Sequence, residues 1–371
     1  MWTLPAAIED ALWAAAPRVP RSALVAAIRA RSIAYTRERE RIAGLGGAAD
    51  LAARAVFFAV ADAAKVRIPL AELRGRGLVP ARRPLRVLDV GAGTGAMTFG
   101  AFAELGAPLD VVAVDRDAEA LEVMRAAFER VCDGDIALVP RDADEPRWGD
   151  EPFDLVVAGA VFNEVLPERR YELARNLLES VADDGAVVIV EPALRQTARD
   201  LHRLRDAVVD AGAAHVFAPC IRSVAPCPML ADDRDWCHED RPVQLPPRAA
   251  QLAAATGLRE RGLKFSYLTL RKRTDPLVPA SAGTLLLRVV SQLNRPKGKL
   301  EVDGCGDAGR VRLRLLRRHR SESNRDIASV RRGDVVALAE PIAPAARTGV
   351  IDIRADTPVR RLQPASRRDA P

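Results

Sequence analysis

Between Leu85 and Glu191 the chain alternates apolar runs of strand length with amphipathic runs of helix length. The segments LRVLDV, DVVAVD, IALVPRD, FDLVVAGAV and GAVVIVEP predict strands, and the stretches between most of them predict helices. Strands that are apolar throughout are typical of a parallel sheet that helices cover on both faces. The pattern therefore predicts an α/β fold built on a doubly wound sheet.

Regions of different composition flank this sheet. Residues 1–80 are rich in Ala and carry apolar residues at helical spacing, which predicts a helical N-terminal region. We assign 81–215 to the sheet domain and 216–340 to a cysteine-containing, basic, β-rich extension. Residues 341–371, rich in Pro, Ala and Arg, are predicted to form a flexible tail.

The composition limits where the protein acts. With 371 residues, 49% of them hydrophobic, the chain is long enough for two domains. It has no apolar run of about 18 residues and no cationic flank typical of a secretory signal near its start. We therefore expect a reducing cytoplasmic setting without a membrane partner, and the sequence does not indicate the oligomeric state.

The turn after the first predicted strand, VLDVGAGTG, carries the strongest local motif. Asp89 ends the strand, and Gly91, Gly93 and Gly95 lead into a helix. Glycines at such a turn let the backbone approach a ligand closely and direct helix N–H groups toward it. Asp115 ends the second strand about 20 residues later, where a carboxylate can accept hydrogen bonds from ribose hydroxyls.

Two cofactors are compatible with this turn, a nicotinamide dinucleotide and S-adenosyl-L-methionine. A dinucleotide-binding turn has the spacing G-x-G-x-x-G, which GAGTG does not match. LDVGAGTG instead resembles motif I of class I S-adenosylmethionine-dependent methyltransferases. The resemblance implies that Asp89 and the glycines face the methionine moiety, that Asp115 binds the ribose, and that Asp142 lies by the adenine.

Polar residues also follow the fourth and fifth strands. Asn163 and Glu164, in VFNEV, are expected at the carboxyl edge of the sheet, where ligands bind, or as caps of the next helix. Glu191 is a further candidate at this edge, and Tyr267 either contacts a ligand or packs within a core strand. Because methyl transfer depends mainly on positioning, no catalytic residue is assigned.

Three of the five cysteines, Cys220, Cys227 and Cys237, fall within 18 residues of a Pro-interrupted stretch. Thiolates spaced along an irregular loop suit zinc or an iron–sulfur cluster, and packing as small apolar residues is the alternative. The fourth ligand is either His238 or Cys305, which lies in a Gly-rich turn. With Cys305 the set of four thiolates permits either metal centre. The fifth cysteine, Cys132, ends a predicted helix and is expected to pack in the core.

The positive charge is concentrated in one region. Between Arg259 and Arg320 there are 16 Lys and Arg against five Asp and Glu, although the whole chain carries only +6. Such a region favours a polyanionic partner, and a general enrichment in Arg is the alternative. Arg310, Arg312 and Arg314 alternate along a predicted strand, so they lie on one face and are candidates for phosphate contacts or for a solvated face.

The order of these motifs resembles a known family. The helical region is followed by GAGTG, FDLVVAGAVFNEV, VIVEP, APC, CPM, DWCH, KFSYLTLRK and a late cysteine. Over residues 30–340 this is similar to the mitochondrial and bacterial small-ribosomal-subunit methyltransferase-like family of the methyltransferase-like protein 17 type. The resemblance implies a class I methyltransferase fold, action on small-subunit rRNA or in subunit assembly, and a 4Fe-4S cluster. Its implied ligands are Cys220, Cys227, Cys237 and Cys305.

The chain also departs from the family pattern. Arg222 stands where the family often has His, the gap before the second cysteine is one residue longer, and Glu239 replaces an aromatic residue. These differences concern the packing around the thiols and not the thiols themselves. Two other functions remain open: a ribosome assembly factor that binds without turnover, and a small-molecule methyltransferase with a structural zinc site.

Overall fold

The computed structural model describes most of the chain. The described residues are 3–36, 45–143, 145, 148–149, 151–259, 262–279, 281–307, 309–339 and 349–363. Within these residues no helix is both long and apolar enough to span a membrane.

Helices form the N-terminal region, as its apolar spacing predicts. Their bounds are α1 Ala6–Ala15, α2 Arg21–Thr36, α3 Gly47–Ala53 and α4 Val60–Gly75, with a π-helical turn at Arg54–Ala59. The small side chains of α4 permit very close packing. A methyl group added to Gly100, in the helix after the first strand, would lie 2.2 Å from the Ala63 carbonyl oxygen. This region is therefore part of the core of the protein.

A sheet of eight strands lies at the centre. Its strands are β1 Leu85–Val90, β2 Leu109–Val114, β3 Ile136–Val139, β4 Phe153–Gly159, β5 Val181–Pro192, β6 His215–Ala218, β7 Glu239–Arg241 and β8 Leu263–Arg271. The order is β3-β2-β1-β4-β5-β8-β6, with β7 also paired to β8. The first five strands are parallel, and β8 is antiparallel to its neighbours. The chain changes direction across the sheet between β1 and β4, and ligands bind at such a switch point.

Helices cover both faces of this sheet. They are α5 Ala96–Leu105, α6 Ala118–Val131, α7 Arg170–Ser180, α8 Arg195–Asp210 and α9 Pro247–Thr256. Adjacent residues of β1 show the two layers, because Val87 packs in the cluster of α4, α5 and α6, whereas Leu88 packs in that of α7 and α8. The predicted α/β fold with a doubly wound sheet is confirmed.

The C-terminal strands form a second sheet with its own core. They are β9 Thr284–Val289, β10 Lys299–Gly306, β11 Gly309–Leu316, β12 Val335–Ala339, β13 Val350–Ile353 and β14 Val359–Gln363. Their order is β13-β11-β10-β9-β12-β14, and only the pair β11–β13 is parallel. Since β13 and β14 follow each other in the chain yet lie at opposite edges, the chain closes the sheet around its apolar cluster. This is the connectivity of an OB-type barrel, with its last strand split in two.

Two features differ from the predicted domain boundaries. Residues 349–363 lie in the predicted flexible tail, but they supply β13 and β14, because Ile351, Ile353 and Val359 are buried in the barrel. Residues 341–348 and 364–371 of that tail lie outside the described residues. β7 and β8 were both assigned to the basic extension, but both belong to the first sheet, where the apolar residues of β8 are buried between β5 and β6.

Candidate functional site

The loop between β1 and α5 adopts backbone conformations that favour glycine. Gly91, Gly93 and Gly95 have φ angles of +69°, +52° and +91°. An added methyl group would lie 2.2 Å from Val161 Cγ2 at Gly91 and 2.7 Å from an aromatic ring carbon at Gly95. At Gly93 the nearest atom, Asp115 Oδ2, would be 3.9 Å away. The loop is therefore tightly packed at its two ends and open at its middle glycine.

Asp115, after β2, is hydrogen-bonded to this loop. Its Oδ2 accepts a hydrogen bond from the Gly93 N–H at 2.8 Å, and its Oδ1 accepts one from the Asp117 N–H at 2.9 Å. Each carboxylate oxygen has two lone pairs, so both oxygens can accept a further hydrogen bond. The Asp115 carboxylate is thus held in a fixed position and can still bind a pair of hydroxyl groups.

A large cavity opens at the carboxyl edge of the sheet beside this loop. Its volume is about 710 Å³, within the range of small-molecule sites. Four predicted cofactor residues line it, namely Gly91, Gly93, Asp115 and Asp142. The ends of β1, β2 and β3 thus converge on one cavity, as the motif order predicts.

The other three predicted cofactor residues do not line this cavity. Gly95 packs against α5 and α6. The Asn163 Nδ2 donates a hydrogen bond to Glu191 Oε2 at 2.8 Å, beside a smaller cavity. Asp89 lies beneath the loop, where its Oδ2 accepts hydrogen bonds from the N–H and the Oγ of Thr98, at 3.1 and 2.7 Å. These three residues support the loop and the strand ends on the side that faces away from the cavity.

The Asp89 carboxyl group is completely buried. Its Oδ1 has no hydrogen-bond partner in the described part of the chain. Burial raises the pKa of Asp89 to about 7, although the hydrogen bonds from Thr98 act in the opposite direction. Asp89 is therefore partly protonated near neutral pH.

The helix α2 covers one side of the cavity, a contribution that was not predicted. The Tyr35 hydroxyl donates a hydrogen bond to Glu164 Oε1 at 3.2 Å, which joins α2 to the segment after β4. Arg31 lies over the Tyr35 ring at 5.7 Å and donates two hydrogen bonds, of 2.7 and 2.5 Å, to Asp50 of α3. All four residues line the cavity.

The π-helical turn between α3 and α4 brings Arg54 to the same cavity. Arg54 forms an ion pair with Asp117, whose Oδ1 also accepts a hydrogen bond from the Ala120 N–H at the start of α6. Such turns occur frequently at functional sites. The segment AADLAARAVFFAVADAAK has continuous helical spacing, so its pattern does not indicate the turn or the direction of Arg54.

The four predicted metal ligands line one cavity between the first sheet and the barrel. Cys220, Cys227 and Cys237 come from the segment between β6 and β7, and Cys305 comes from β10. The apolar residues that line this thiol cavity include Leu201, Ile221, Met229, Leu268 and Val290. Cys132 follows α6 and packs in the core of the first sheet, as predicted.

Burial controls the ionisation of these thiols. It raises the pKa of Cys227 to about 11 and that of Cys305 to about 12, and it raises the pKa of Cys237 well above its usual value. Metal binding to these thiols would therefore release protons. Within the described residues, no three His, Cys, Asp or Glu side chains are close enough together to hold a metal ion. The thiols share a cavity but do not form a closed ligand set.

Several N–H groups around the thiol cavity are buried without a partner. Within the described part of the chain, these unpartnered groups are Arg205 Nε, Arg222 Nε, and Arg288 Nε and Nη1. The ring nitrogen Nδ1 of His238 has no hydrogen-bond partner there either. Buried polar groups are nearly always hydrogen-bonded, and exceptions often indicate an ion or a water molecule. An anionic centre with sulfur ligands would supply the acceptors that the three guanidinium groups need, so the residues present fit such a group.

A buried ionic network lies beside the thiol cavity. The Arg288 Nη2 of β9 is 2.8 Å from Glu72 Oε1 of α4 and donates hydrogen bonds to Glu239 Oε1 at 3.3 Å and to Tyr267 Oη at 3.0 Å. The Tyr267 hydroxyl in turn donates to Glu72 Oε2 at 2.7 Å. Tyr267 is therefore a core residue, and the network joins the barrel to the first sheet and to α4.

The three alternating arginines of β11 share one face, as predicted, but all of them are paired. Arg310 and Arg312 both bind Asp303 of β10, at 2.9 and 2.8 Å. Arg314 donates two hydrogen bonds to Asp352 of β13, at 2.6 and 2.9 Å. A phosphate group that bound these side chains would have to displace carboxylates.

Solved methyltransferase structures are similar to part of the chain. A putative methyltransferase from Thermoplasma acidophilum is 16% identical, with a TM-score of 0.35, over 52% of this chain and 70% of that one. A putative class I S-adenosylmethionine-dependent methyltransferase from Listeria monocytogenes is 12% identical (TM-score 0.37; 59% of this chain, 62% of that one). The Synechocystis magnesium protoporphyrin IX methyltransferase, solved with bound S-adenosylmethionine, is 16% identical (TM-score 0.36; 65% and 95%). The similar region thus spans less than two thirds of the Listeria chain.

The sequence comparison with protein families is more specific. No curated protein matches the chain. Residues 49–336 match the family described as mitochondrial small ribosomal subunit Rsm22. This segment includes the glycine loop, the first sheet, all four cysteines of the thiol cavity and the barrel as far as the start of β12. Because the match covers more than three quarters of its length, the chain belongs to the Rsm22 family.

Proposed function

We propose that the chain binds S-adenosylmethionine in the cavity of about 710 Å³ and methylates the rRNA of the small ribosomal subunit. The observation that carries the proposal is the convergence of Gly93, Asp115 and Asp142 on that cavity. The description of the Rsm22 family, which names the mitochondrial small ribosomal subunit, supports the choice of the ribosome as partner.

The residues around the cavity suggest how the cofactor would be held. At Gly93 the glycine loop is open toward the cavity, so the methionine moiety could approach the backbone closely there. The fixed Asp115 carboxylate would accept hydrogen bonds from both ribose hydroxyls, and Asp142 would contact the adenine. The cofactor supplies an electrophilic methyl group on a sulfonium. The contribution of the chain is to hold the donor and the acceptor in line.

We also propose that the thiol cavity holds a 4Fe-4S cluster bound by Cys220, Cys227, Cys237 and Cys305, with zinc as the alternative. Four thiolates make either centre anionic. The unpartnered guanidinium N–H groups around the cavity would compensate that charge and donate to sulfur. Such a centre would join the cysteine segment to β10, so its binding would contribute to folding.

A second function, an assembly factor that binds the cofactor without turnover, is favoured by one observation. The polar side chains after β4 already contact the protein, since Asn163 binds Glu191 and Glu164 binds Tyr35. These are the residues that were expected either at the ligand-binding edge of the sheet or as caps of the next helix. The amide of Asn163 is not a base, and the carboxylate of Glu164 is already engaged by Tyr35, so neither contact indicates a dedicated general base.

The methylation proposal is tested by mass spectrometry of small-subunit rRNA. RNA is compared from cells with the gene, without it, and with Asp115→Asn in its place. We expect one methyl group to be lost in the deletion and in the variant. If the RNA carries the same methyl groups in all three while the purified protein binds S-adenosylmethionine, the binding-only function is correct.

The cluster proposal is tested by anaerobic purification followed by iron, sulfide and zinc analysis. Iron and sulfide in equal amounts, with absorbance near about 400 nm, are expected of thiolate-bound clusters. Cys305→Ser should lose both, whereas Cys132→Ser, remote from the thiol cavity, should keep both. If the wild-type protein contains zinc and no sulfide, the site is a structural zinc site and the cluster proposal is wrong.

A further inference from the structure

One end of the barrel gathers exposed cations from three separate segments. The backbone N–H of residue 317 donates to the Gly298 carbonyl oxygen at 2.8 Å, which joins the end of β11 to the β9–β10 connection. The Asn324 side chain donates to the carbonyl oxygens of His319 and Arg354, at 2.9 and 3.0 Å, which brings the end of β13 to the same place. We call the exposed side chains there the basic end: Lys297, Arg317, Arg318, Arg320 and Arg354.

The basic end differs from the arginine face of β11 in its pairing. No side chain of the basic end forms an ion pair with a carboxylate of the described residues. The nearby Asp352 is already bound by Arg314. By contrast, Arg310 and Arg312 share Asp303. A phosphate can therefore bind at the basic end without displacing a carboxylate, whereas on the β11 face it must break an ion pair first.

The barrel also lacks aromatic side chains, on which bases commonly stack. OB-type barrels bind oligonucleotides on their second and third strands and on adjacent loops, and single-stranded nucleic acids stack their bases on aromatic side chains there. There is no Phe, Trp or Tyr between residues 284 and 363. The third strand, β11, carries the paired arginines, and the second strand, β10, borders the thiol cavity through Cys305. Without aromatic stacking, the unpaired cations at one end of the barrel are the groups best suited to an RNA partner.

We propose that the basic end is the RNA-docking surface of this protein, and that it holds RNA by its phosphates without reading its sequence. The inference rests on the proposed action on rRNA and adds the surface and the mode of contact. The β9–β10 connection and the segments after β11 and β13 supply the contacts, and the β11 arginine face serves to hold β10, β11 and β13 together.

The test measures the affinity of the full-length protein for labelled oligouridylate and oligoadenylate over about 50 to 200 mM salt. The test variant combines Arg317→Gln, Arg318→Gln and Arg320→Gln. The control combines Arg125→Gln, Arg130→Gln and Arg175→Gln, which remove the same charge from exposed positions of α6 and α7. Each lost phosphate contact lowers the slope of log affinity against log salt by about 0.7 to 0.9. We expect the test variant to lose about two to three units of slope and the control to keep the wild-type slope.

Three outcomes would overturn the inference. They are a wild-type slope in the test variant, an equal loss of slope in both variants, and a strong preference of the wild-type protein for one oligonucleotide. Binding of S-adenosylmethionine by both variants, measured by calorimetry, verifies that each is folded. If the wild-type protein binds neither oligonucleotide at any salt concentration, the proposed rRNA substrate fails as well. A methylated rRNA combined with an unchanged slope refutes only the docking surface.

Discussion

The Gly93 N–H lies 2.8 Å from Asp115 Oδ2, so the carboxylate proposed to bind the ribose also holds the middle of the glycine loop. One side chain thereby aligns the two parts of the site that are proposed to contact the ends of the same cofactor. The distance between the loop and the end of β2 is consequently set before any ligand binds, which reduces the ordering that binding requires.

Replacement of Asp115 by Asn should weaken S-adenosylmethionine binding about ten- to hundredfold. Hydrogen bonds to a charged group contribute about 1.5 to 3 kcal/mol, and the amide can accept with only one atom. Calorimetric titration measures the effect. Asp110→Asn, at the opposite end of the same strand, is the matched control and should bind like the wild type. Equal affinities for the two variants would remove Asp115 from the site.

Alanine substitutions at Gly93 and Gly91 should have different effects, the first mainly on cofactor binding and the second mainly on stability. Gly93→Ala places a methyl group toward the cavity with only the backbone strain of a positive φ, about 1 to 2 kcal/mol, so it should fold and lose affinity. Gly91→Ala drives its methyl group into Val161 and should lower the melting temperature much more. Thermal unfolding and titration of both variants provide the check, and a cofactor affinity of Gly93→Ala equal to that of the wild type would contradict it.

Asp89→Asn should change how stability depends on pH. The folded-state pKa of Asp89, about 7, lies above the unfolded value, so the folded protein binds the extra proton between about pH 4 and 7. Wild-type stability should therefore fall as pH rises through this window, by about 1.4 kcal/mol for each unit of pKa difference, and the loss is complete above pH 7. The variant lacks this dependence. Denaturant unfolding at several pH values gives the dependence of stability on pH for the wild type and the variant, and the two curves should diverge. Parallel curves would rule out a raised pKa of Asp89.

Arg288→Met should destabilise the protein by about 3 to 5 kcal/mol, because it leaves two buried carboxylates, Glu72 and Glu239, without their shared cation. Arg312→Met is the comparison on the same barrel. Its ion pair is half exposed, so its loss should change the free energy of unfolding by no more than about 1 kcal/mol. Chemical denaturation measures the free energy of unfolding of both variants. Similar losses would mean that the buried network contributes no more to stability than the exposed ion pair.

The parts of the protein that could be predicted depend on short stretches of sequence. The strand that ends at Asp89, the glycine turn and the strand that ends at Asp115 each have a local pattern, and parallel strands necessarily bring such ends to one edge. Chemistry requires a fourth ligand for the three thiols but leaves both His238 and Cys305 as candidates, and it is the family resemblance that selects Cys305.

The parts that could not be predicted depend on pairs far apart in the chain. Tyr35 contacts Glu164, and Arg288 contacts Glu72, although the partners are far apart in the sequence. The periodicity of a sequence gives no information on such contacts. The segment after residue 349 has only short apolar alternations among Pro and Arg, so its composition suggests a flexible tail. Its burial becomes apparent only when β13 is found beside β11.

The position of Cys305 on β10 has a consequence for synthesis. It follows Cys237 by 68 residues, so at about 5 to 20 residues per second it is added roughly 3 to 14 s later. During that interval a nascent chain exposes three thiols without their fourth partner, and β9 and β10 are still being made. The thiol cavity is therefore completed only after β10 has been synthesised, and a metal centre with all four thiolates can form only from then on.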